Sequence, residues 1–234
     1  KRMTNAYNAT DGGVRKLQSA SLHFDAAFSD NLDMFAKAYV NRTRDDRFVK
    51  FSAGAAQQRR VTNEDHWGAI GAVHYHANLG GMDLMLEAGG DIQKQDNESL
   101  RFTALNRVPT AQTRDQKMKL TVGGVYLQAI LQPTDWIKIT PAYRMDWVGG
   151  TYRNRLNNTS ARANDYGTIK QPKLSVALTP LEGLTVYGNW GKTFQIGTES
   201  GAYLIAPRPV NLAPSINEGW EGGLRYAAPS GALE

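Results

Sequence analysis

The sequence predicts an all-β fold, an antiparallel transmembrane β-barrel, because long amphipathic strands alternate with short turns and long polar loops. Short turns are predicted at residues 29–31, 80–81, 133–135 and 181–183. Long loops are centred on residues 45–63, 95–116, 150–167 and 197–214. Strands of an outer-membrane barrel return through tight turns on one side and long loops on the other. A soluble β-sandwich has no reason to sort its loops by length so regularly.

Nine strands are expected, and each is long enough to cross a bilayer, which takes about 9–11 residues. Single-chain bacterial barrels have an even number of strands, so an odd number predicts that the chain is an internal piece of a longer barrel. Residues 1–16 are expected to belong to another loop. The predicted strands are residues 17–28, 32–44, 65–78, 82–95, 117–132, 136–148, 169–179, 184–194 and 216–227.

The strand at residues 136–148 shows the period-two pattern most clearly. One face carries Ile137, Ile139, Tyr143, Met145 and Trp147, and the other carries Lys138, Thr140, Arg144 and Asp146. The first face is suited to lipid and the second to a wet lumen. The strand at residues 32–44 is ambiguous, because its large aromatic residues share a face with polar ones.

Composition is consistent with this fold class and argues against others. The chain has 234 residues, no cysteine and a net charge of +5, and its mean hydropathy is −0.47. No disulfide framework or thiolate metal site is expected. No apolar run reaches about 18 residues, so a transmembrane helix is excluded. The charge is modest, and no nucleic-acid-binding module is recognisable.

Eight segments in the second half of the chain follow one another in a characteristic order. They are GGVYLQ at residues 123–128, PTDW at 133–136, PAYRMD at 141–146, QPKLSV at 171–176, PLEGLTVYG at 180–188, WGKTF at 190–194, LAP at 212–214 and EGWEGGLRY at 218–226. Together they resemble the barrel of TonB-dependent outer-membrane receptors of the ferric-siderophore type. The first three are similar to a barrel hairpin of that family, with Ala142 where glycine is usual, and Thr193 replaces another usual glycine.

The resemblance implies that residues 1–234 are part of one β-barrel domain of about 22 strands whose lumen is plugged. The plug domain is expected to lie outside this chain. The implied function is TonB-dependent import of a ferric siderophore or a similar scarce ligand across the bacterial outer membrane. The implied partners are the TonB system, acting through the plug, that ligand, and outer-membrane lipid with lipopolysaccharide. No nucleic acid, cofactor or enzymatic activity is expected.

Ligand recognition is expected in the long loops, where arginine offers planar recognition of oxyanions and aromatic rings offer flat surfaces. A solvated loop that meets lipopolysaccharide is the alternative interpretation of the same residues. The ligand-binding candidates are Arg59, Arg60, Tyr152, Arg153, Arg155, Arg162 and Tyr166.

Two further interpretations concern the polar strand faces. His74 and His76 lie on one face, where they could bind metal or haem. The favoured interpretation is that they line a hydrated lumen. Arg144 and Asp146 are interpreted as structural salt-bridge residues. No triad order, G-x-S-x-G elbow or P-loop occurs, so no catalytic residue is assigned.

Two alternatives to the receptor remain open from the residues. One is a small complete outer-membrane barrel, acting as a channel, an adhesin or an enzyme, which needs an even strand count. The other is a soluble β-sandwich or lipocalin-like binding module, which needs one strand face to form a dry core.

Overall fold

The computed structural model of the protein describes residues 9–208 and 210–227, which form one antiparallel β-sheet. Consecutive strands pair in chain order, except that the short β7 pairs only with β6. The strands in these residues are β1 Gly12–Ser29, β2 Leu32–Val49, β3 Gln57–Leu79, β4 Met82–Leu105, β5 Val108–Thr134, β6 Ile137–Asn154, β7 Thr159–Arg162, β8 Ile169–Leu181, β9 Leu184–Gln195 and β10 Ser215–Tyr226. No helix in the described ranges has both the length and the apolar character to cross a membrane.

All nine predicted strands are present, and the four predicted short turns are confirmed as two-residue connections between paired strands. The additional strand is the four-residue β7. The prediction of a loop at residues 1–16 is wrong for its last part, because β1 already begins at Gly12. Residues 1–8 lie outside the described part of the chain.

The predicted loop at residues 95–116 is wrong, because β4 and β5 continue through it to a turn at Asn106 and Arg107. Both turn residues have positive φ, as a type I′ hairpin turn requires. The extension of β5 carries polar residues on both faces, but residues 99–104 of β4 alternate polar and apolar side chains. The prediction of a loop overlooked this short period-two signal.

The predicted loop at residues 45–63 is also shorter than expected. β2 continues to Val49 and β3 begins at Gln57, so only residues 50–56 connect them. The strands β3, β4 and β5 contain 23, 24 and 27 residues. They exceed the about 9–11 residues that a bilayer needs, and the excess lies on the side of the long loops.

The two faces of the sheet differ in character. Side chains alternate along each strand. The half of the sheet beside the predicted short turns is here called lower, and the half beside the long loops upper. In the lower half one face, here called the apolar face, exposes Trp67, Val73, Tyr75, Tyr143 and Trp147. The other, here called the polar face, carries the charged residues of the lower strands. On β2 the ambiguity of the sequence is resolved, since Phe35 lies on the polar face with its ring 5.8 Å from that of His74.

Three tyrosines on the polar face each cover a glycine directly across the ladder. The pairs are Tyr39 with Gly68, Tyr126 with Gly89, and Tyr187 with Gly223. A Cβ atom on any of these glycines would lie within 2.8 Å of the facing tyrosine ring. Such aromatic cover of a strand glycine fixes register, because only glycine leaves room for the ring.

Gly89→Ala is therefore expected to destabilise the barrel by about 1–3 kcal/mol through overpacking. The added methyl group would lie 2.7 Å from the Tyr126 ring and force it away from Glu87, to which its hydroxyl donates at 2.6 Å. The urea midpoint of the full-length protein, followed by the mobility shift of the unboiled barrel, measures the loss. Gly149→Ala is the control, because its Cβ would meet open space. Equal midpoints for the two variants would contradict the packing account.

Candidate functional site

The lower polar face is crossed by an ion-pair network centred on Arg144. Its guanidinium contacts Asp91 on β4 and Asp146 on β6, each at 2.6 Å. Asp146 is only 1% exposed, and Gln171 on β8 also donates to it. The salt bridge expected for Arg144 and Asp146 is thus present, and it ties β4, β6 and β8 together.

His74 and His76 share one carboxylate. Asp33 on the neighbouring strand lies 2.7 Å from His74 Nδ1 and 3.1 Å from His76 Nε2. In the ranges that the structure describes, no group of three or more ligating side chains could hold a metal ion. The arrangement is that of a hydrogen-bonded polar wall.

The connection between β9 and β10 folds over the upper polar face. Its first part, residues 197–208, is here called the inward segment and contains a 3₁₀ helix at Glu199–Ala202. Tyr203 is 2% exposed and packs on the buried Tyr152 of β6, with ring centroids 5.9 Å apart. Its hydroxyl donates to the carbonyl oxygen of Lys119 at 3.1 Å. Burial raises the pKa of the Tyr203 hydroxyl to about 12, so it remains a neutral donor.

Asn164 holds the inward segment from the other side. It is 1% exposed, and its backbone N–H donates to the carbonyl of Ala202 at 2.9 Å. Its side-chain amide donates to the carbonyl of Gly201 at 3.2 Å and accepts from the N–H of Leu212 at 3.1 Å. The segment is therefore fixed at both of its faces by buried groups.

A half-enclosed cavity of about 180 Å³ lies between the inward segment and the upper parts of β3, β4 and β5. Its charged lining residues are Arg114 and three acids, Glu64, Glu98 and Glu199, and neutral polar groups such as Asn97 complete it. A cavity of this kind on a polar wall can hold a small polar ligand or part of a larger one.

Four arginines stand in one row across the upper polar face, close to this cavity. Arg47 on β2 is the direct cross-strand partner of Arg60 on β3, which faces Arg101 on β4, which faces Arg114 on β5. Like charges directly opposite each other destabilise a sheet. The row, here called the arginine row, therefore places four like charges side by side on the upper polar face.

The structure separates the predicted ligand-binding residues. Arg60 lies on the polar face, in the arginine row, whereas its neighbour Arg59 points to the opposite face. There Arg59 pairs with Asp46 at 2.6 Å and lies between the rings of Phe48 and Phe102. The hydrogen bonds from Arg59 hold the pKa of Asp46 below its usual value.

The predicted placement of these residues in loops is wrong for five of them. Arg59 and Arg60 belong to β3, Tyr152 and Arg153 to β6, and Arg162 to β7, because the strands extend further than their polar ends indicate. Arg155 does follow β6, and its guanidinium contacts Glu98 at 2.5 Å and Asp115 at 2.6 Å. The hydrogen bond from Arg155 is the main cause of a lowered pKa of Glu98.

Tyr152 and Tyr166 are buried, at 3% and 7% exposure. They serve as packing residues under the inward segment and beside Asn164, whose amide donates to the Tyr166 hydroxyl at 3.3 Å. Their side chains offer little surface to a ligand in this arrangement. As ligand-binding residues, the exposed arginines remain a prediction.

The chain matches one protein-family description over nearly its whole length. The family is the TonB-dependent receptor-like β-barrel, and the match covers residues 2–234. This chain belongs to that family. Its barrels lie in the bacterial outer membrane, so the polar face of this receptor barrel faces the lumen and the apolar face meets lipid. A two-sheet soluble sandwich is not formed, since the described strands make a single sheet.

Solved structures share the fold of this receptor barrel at low sequence identity. The unliganded ferric citrate transporter FecA superposes with a TM-score of 0.80 at 16% identity, over 94% of this chain and 33% of FecA. The siderophore receptor PiuA from Acinetobacter baumannii gives 0.78 at 12% identity, over 94% of this chain and 39% of PiuA. The copper transporter OprC gives 0.72 at 13% identity, over 94% and 38%. None of the curated proteins compared with the chain is significantly similar in sequence.

The aromatic residues indicate which parts of the strands of the receptor barrel lie within the bilayer and which lie above it. Barrels of this kind carry aromatic girdles at both interfaces, and on β3 the lipid-facing stretch runs from Trp67 to Tyr75. Residues of β3 before Trp67 therefore stand above the membrane, as do the strand parts paired with them. The arginine row, the inward segment and the Glu98 ion pairs all lie in this upper region.

Sequence reasoning missed Arg47, Arg101, Arg114 and Tyr203 as residues of the site. The three arginines come from separate strands and become neighbours only through the register of four strands. Arg47 and Arg114 lie in polar stretches beside predicted strands, which give no sign that the strands continue. The alternation at residues 99–104 was the available local signal, and it places Arg101 on a polar strand face.

Proposed function

We propose that this chain is the barrel portion of a TonB-dependent receptor that imports a ferric siderophore or a similar scarce ligand. The chain spans about a third of the length of FecA and PiuA. Residues 1–234 would thus form part of a single barrel domain whose plug lies elsewhere in the receptor. FecA is a ferric citrate transporter and PiuA is a siderophore receptor, which favours an iron chelate as the ligand.

The observation that carries this proposal is the upper polar face. It extends above the membrane level as a wall of long strands, is covered in part by the inward segment, and opens into a half-enclosed cavity. A vestibule of this form concentrates a scarce ligand above a lumen. The mechanism is gated transport with no covalent chemistry, in which TonB acts on the plug and the barrel residues bind and orient the ligand.

Cells that carry the full-length receptor are expected to accumulate radiolabelled iron from its chelate only when a functional TonB system is present. The reason is that a plugged lumen passes no ligand until energy delivered through TonB moves the plug. Uptake is measured in matched hosts with and without TonB, and a host without the receptor gives the background. Receptor-dependent uptake that is equal in the two hosts would contradict TonB-dependent transport.

Lipopolysaccharide is proposed as the partner of the apolar face just above the lipid-facing stretch. Lys94 lies over the Trp67 ring at 4.9 Å. Asp65 is bracketed by Arg42 and Arg44, and Asp96 by Lys117 and Lys119, so bases outnumber acids there. Bases in excess at this level suit lipid phosphates. Mass spectrometry of the lipid that copurifies with the receptor tests this proposal. A Lys117→Gln/Lys119→Gln variant is expected to retain less lipopolysaccharide than wild type, and an unchanged amount would contradict the proposal.

A further inference from the structure

The arginine row concentrates four positive charges without matching acids. Among residues 9–208 and 210–227, no ion pair joins a carboxylate to Arg47, Arg60, Arg101 or Arg114, whereas Arg59 and Arg155 on the opposite face are both paired. The contrast within one region of one sheet is informative. Among the described residues, the apolar face pairs four of its arginines at this level and leaves Arg153 without an ion pair, whereas no arginine of the row is paired; the four are Arg42, Arg44, Arg59 and Arg155.

Neutral groups hold the Arg60 guanidinium in place. Its Nε and Nη2 donate to the side-chain oxygen of Gln58 at 3.1 and 3.0 Å. It also lies 4.3 Å from the centre of the Phe51 ring. These contacts orient the guanidinium but leave its charge uncompensated, which is the condition for binding an oxyanion strongly.

Arg101 at the centre of the row carries an unsatisfied buried donor. In the part of the chain that the structure describes, its Nε is buried without a hydrogen-bond partner. A buried donor left without a partner destabilises the folded protein. The negative charge of Glu199, at the start of the 3₁₀ helix, acts on Arg101 from the inward segment.

The charges in the row oppose one another. Burial and the nearby Arg101, Arg47 and Arg114 lower the pKa of Arg60. Burial and Arg114 likewise lower the pKa of Arg101. Both groups stay protonated at neutral pH, so the repulsion persists in the ligand-free protein, and a bound anion would relieve it.

We propose that the arginine row is an oxyanion-binding site and that its ligand is a polyanionic metal chelate with two or more free carboxylate groups. Four adjacent strands about 4.8 Å apart place the row across about 14 Å, which is too wide for one carboxylate. Guanidinium groups bind carboxylates in a planar, two-point manner. That the bound chelate is also the transported ligand rests on the proposed function. The binding itself can be tested separately.

Phosphate groups offer the same chemistry, and lipopolysaccharide is a source of them. The row faces the lumen side, away from the apolar face that meets lipid, and it adjoins the cavity lined by Arg114 and Glu199. A chelate that enters the vestibule reaches this position, whereas lipid phosphates lie against the other face. The position therefore favours a free chelate as the source of the anion.

The test uses the full-length receptor in detergent, with calorimetric titration of iron(III) citrate, a neutral ferric hydroxamate and inorganic phosphate. Wild type is expected to bind iron(III) citrate more tightly than either of the other two. Arg60→Gln and Arg101→Gln are each expected to weaken that binding about 10- to 100-fold, since a hydrogen bond to a charged group contributes about 1.5–3 kcal/mol. Arg44→Gln, which removes a guanidinium from the opposite face at Asp65, is the control and keeps wild-type affinity.

A second measurement separates binding from folding. Because neighbouring like charges repel, Arg101→Gln is expected to raise the melting temperature of the ligand-free receptor while abolishing the stabilisation that iron(III) citrate gives to wild type. A merely structural role for Arg101 predicts a lower melting temperature instead and would overturn the proposal.

Three other results would also overturn it. These are equal affinity for the neutral hydroxamate, equal or tighter binding of inorganic phosphate, and unchanged citrate binding in both row variants. The transport proposal can fail on its own. Uptake in cells that does not require TonB would overturn it, but anion binding that depends on the arginine row would remain. Conversely, TonB-dependent uptake that ignores the row variants would remove this inference and leave the transport function standing.

Discussion

Replacing Arg144 with methionine is expected to destabilise the folded barrel by about 3–5 kcal/mol, because removing one partner of a buried ion pair leaves an uncompensated charge. The Asp146 side chain is only 2% exposed, and Asp91 is 27% exposed. Without the guanidinium, Asp91 on β4 and Asp146 on β6 would lose their shared counter-charge across the intervening β5, in a space that water reaches poorly. The urea midpoint of the full-length receptor measures the change.

Arg155→Met is the matched control for this variant. Arg155 is also bracketed by two carboxylates, Glu98 and Asp115, but its side chain is 40% exposed. Exposed ion pairs contribute about 0–1 kcal/mol, so this variant is expected to unfold almost as wild type does. Similar losses for Arg144→Met and Arg155→Met would show that burial of the network is not what makes it important.

Replacing Tyr203 with alanine is expected to release the inward segment from the polar wall. Truncating a buried aromatic ring costs about 3–5 kcal/mol, and the loss falls on local opening because the hydrogen bonds of Asn164 are then the main remaining attachment of the segment. The amides of Asn164 and Leu204, whose hydrogen bonds of 2.9 Å join the segment to the wall, should then exchange with solvent at least about 100-fold faster. Hydrogen exchange followed by mass spectrometry measures this directly.

Tyr203→Phe separates the ring from the hydroxyl. It keeps the contact with Tyr152 and loses only the hydrogen bond to the Lys119 carbonyl, at 3.1 Å. A lost hydrogen bond of this kind costs about 1 kcal/mol, so exchange should rise only about fivefold. If Tyr203→Ala exchanged no faster than Tyr203→Phe, the ring would not be the anchor of the segment.

The sequence was sufficient to predict the lower half of the barrel. Residues 136–148 alternate apolar and polar side chains because one face meets lipid and the other meets water, and that contrast is visible without a structure. The same reasoning located the turn at Gly80 and Gly81, where both residues adopt positive φ. It also identified Arg144 and Asp146 as partners on one face.

The upper half could not be predicted in the same way. Above Trp67 both strand faces meet water, so a stretch such as residues 57–64 of β3 shows no alternation and resembles a loop. The arginine row depends on the pairing register of four strands, which no local pattern encodes. The contact between Tyr203 and Tyr152 joins residues far apart in the chain, and nothing near either residue indicates it.

The measurement that tests this account most directly is the environment of adjacent residues on β6 in a bilayer. The chain has no cysteine, so spin labels can be placed singly through Ala142→Cys and Tyr143→Cys in the full-length receptor, with any cysteine elsewhere replaced. The label at residue 143 should be relaxed by oxygen, which dissolves in lipid, and the label at 142 by a water-soluble nickel complex. The same accessibility at both positions, or the reverse order, would contradict a barrel strand with one face in lipid and the other in the lumen.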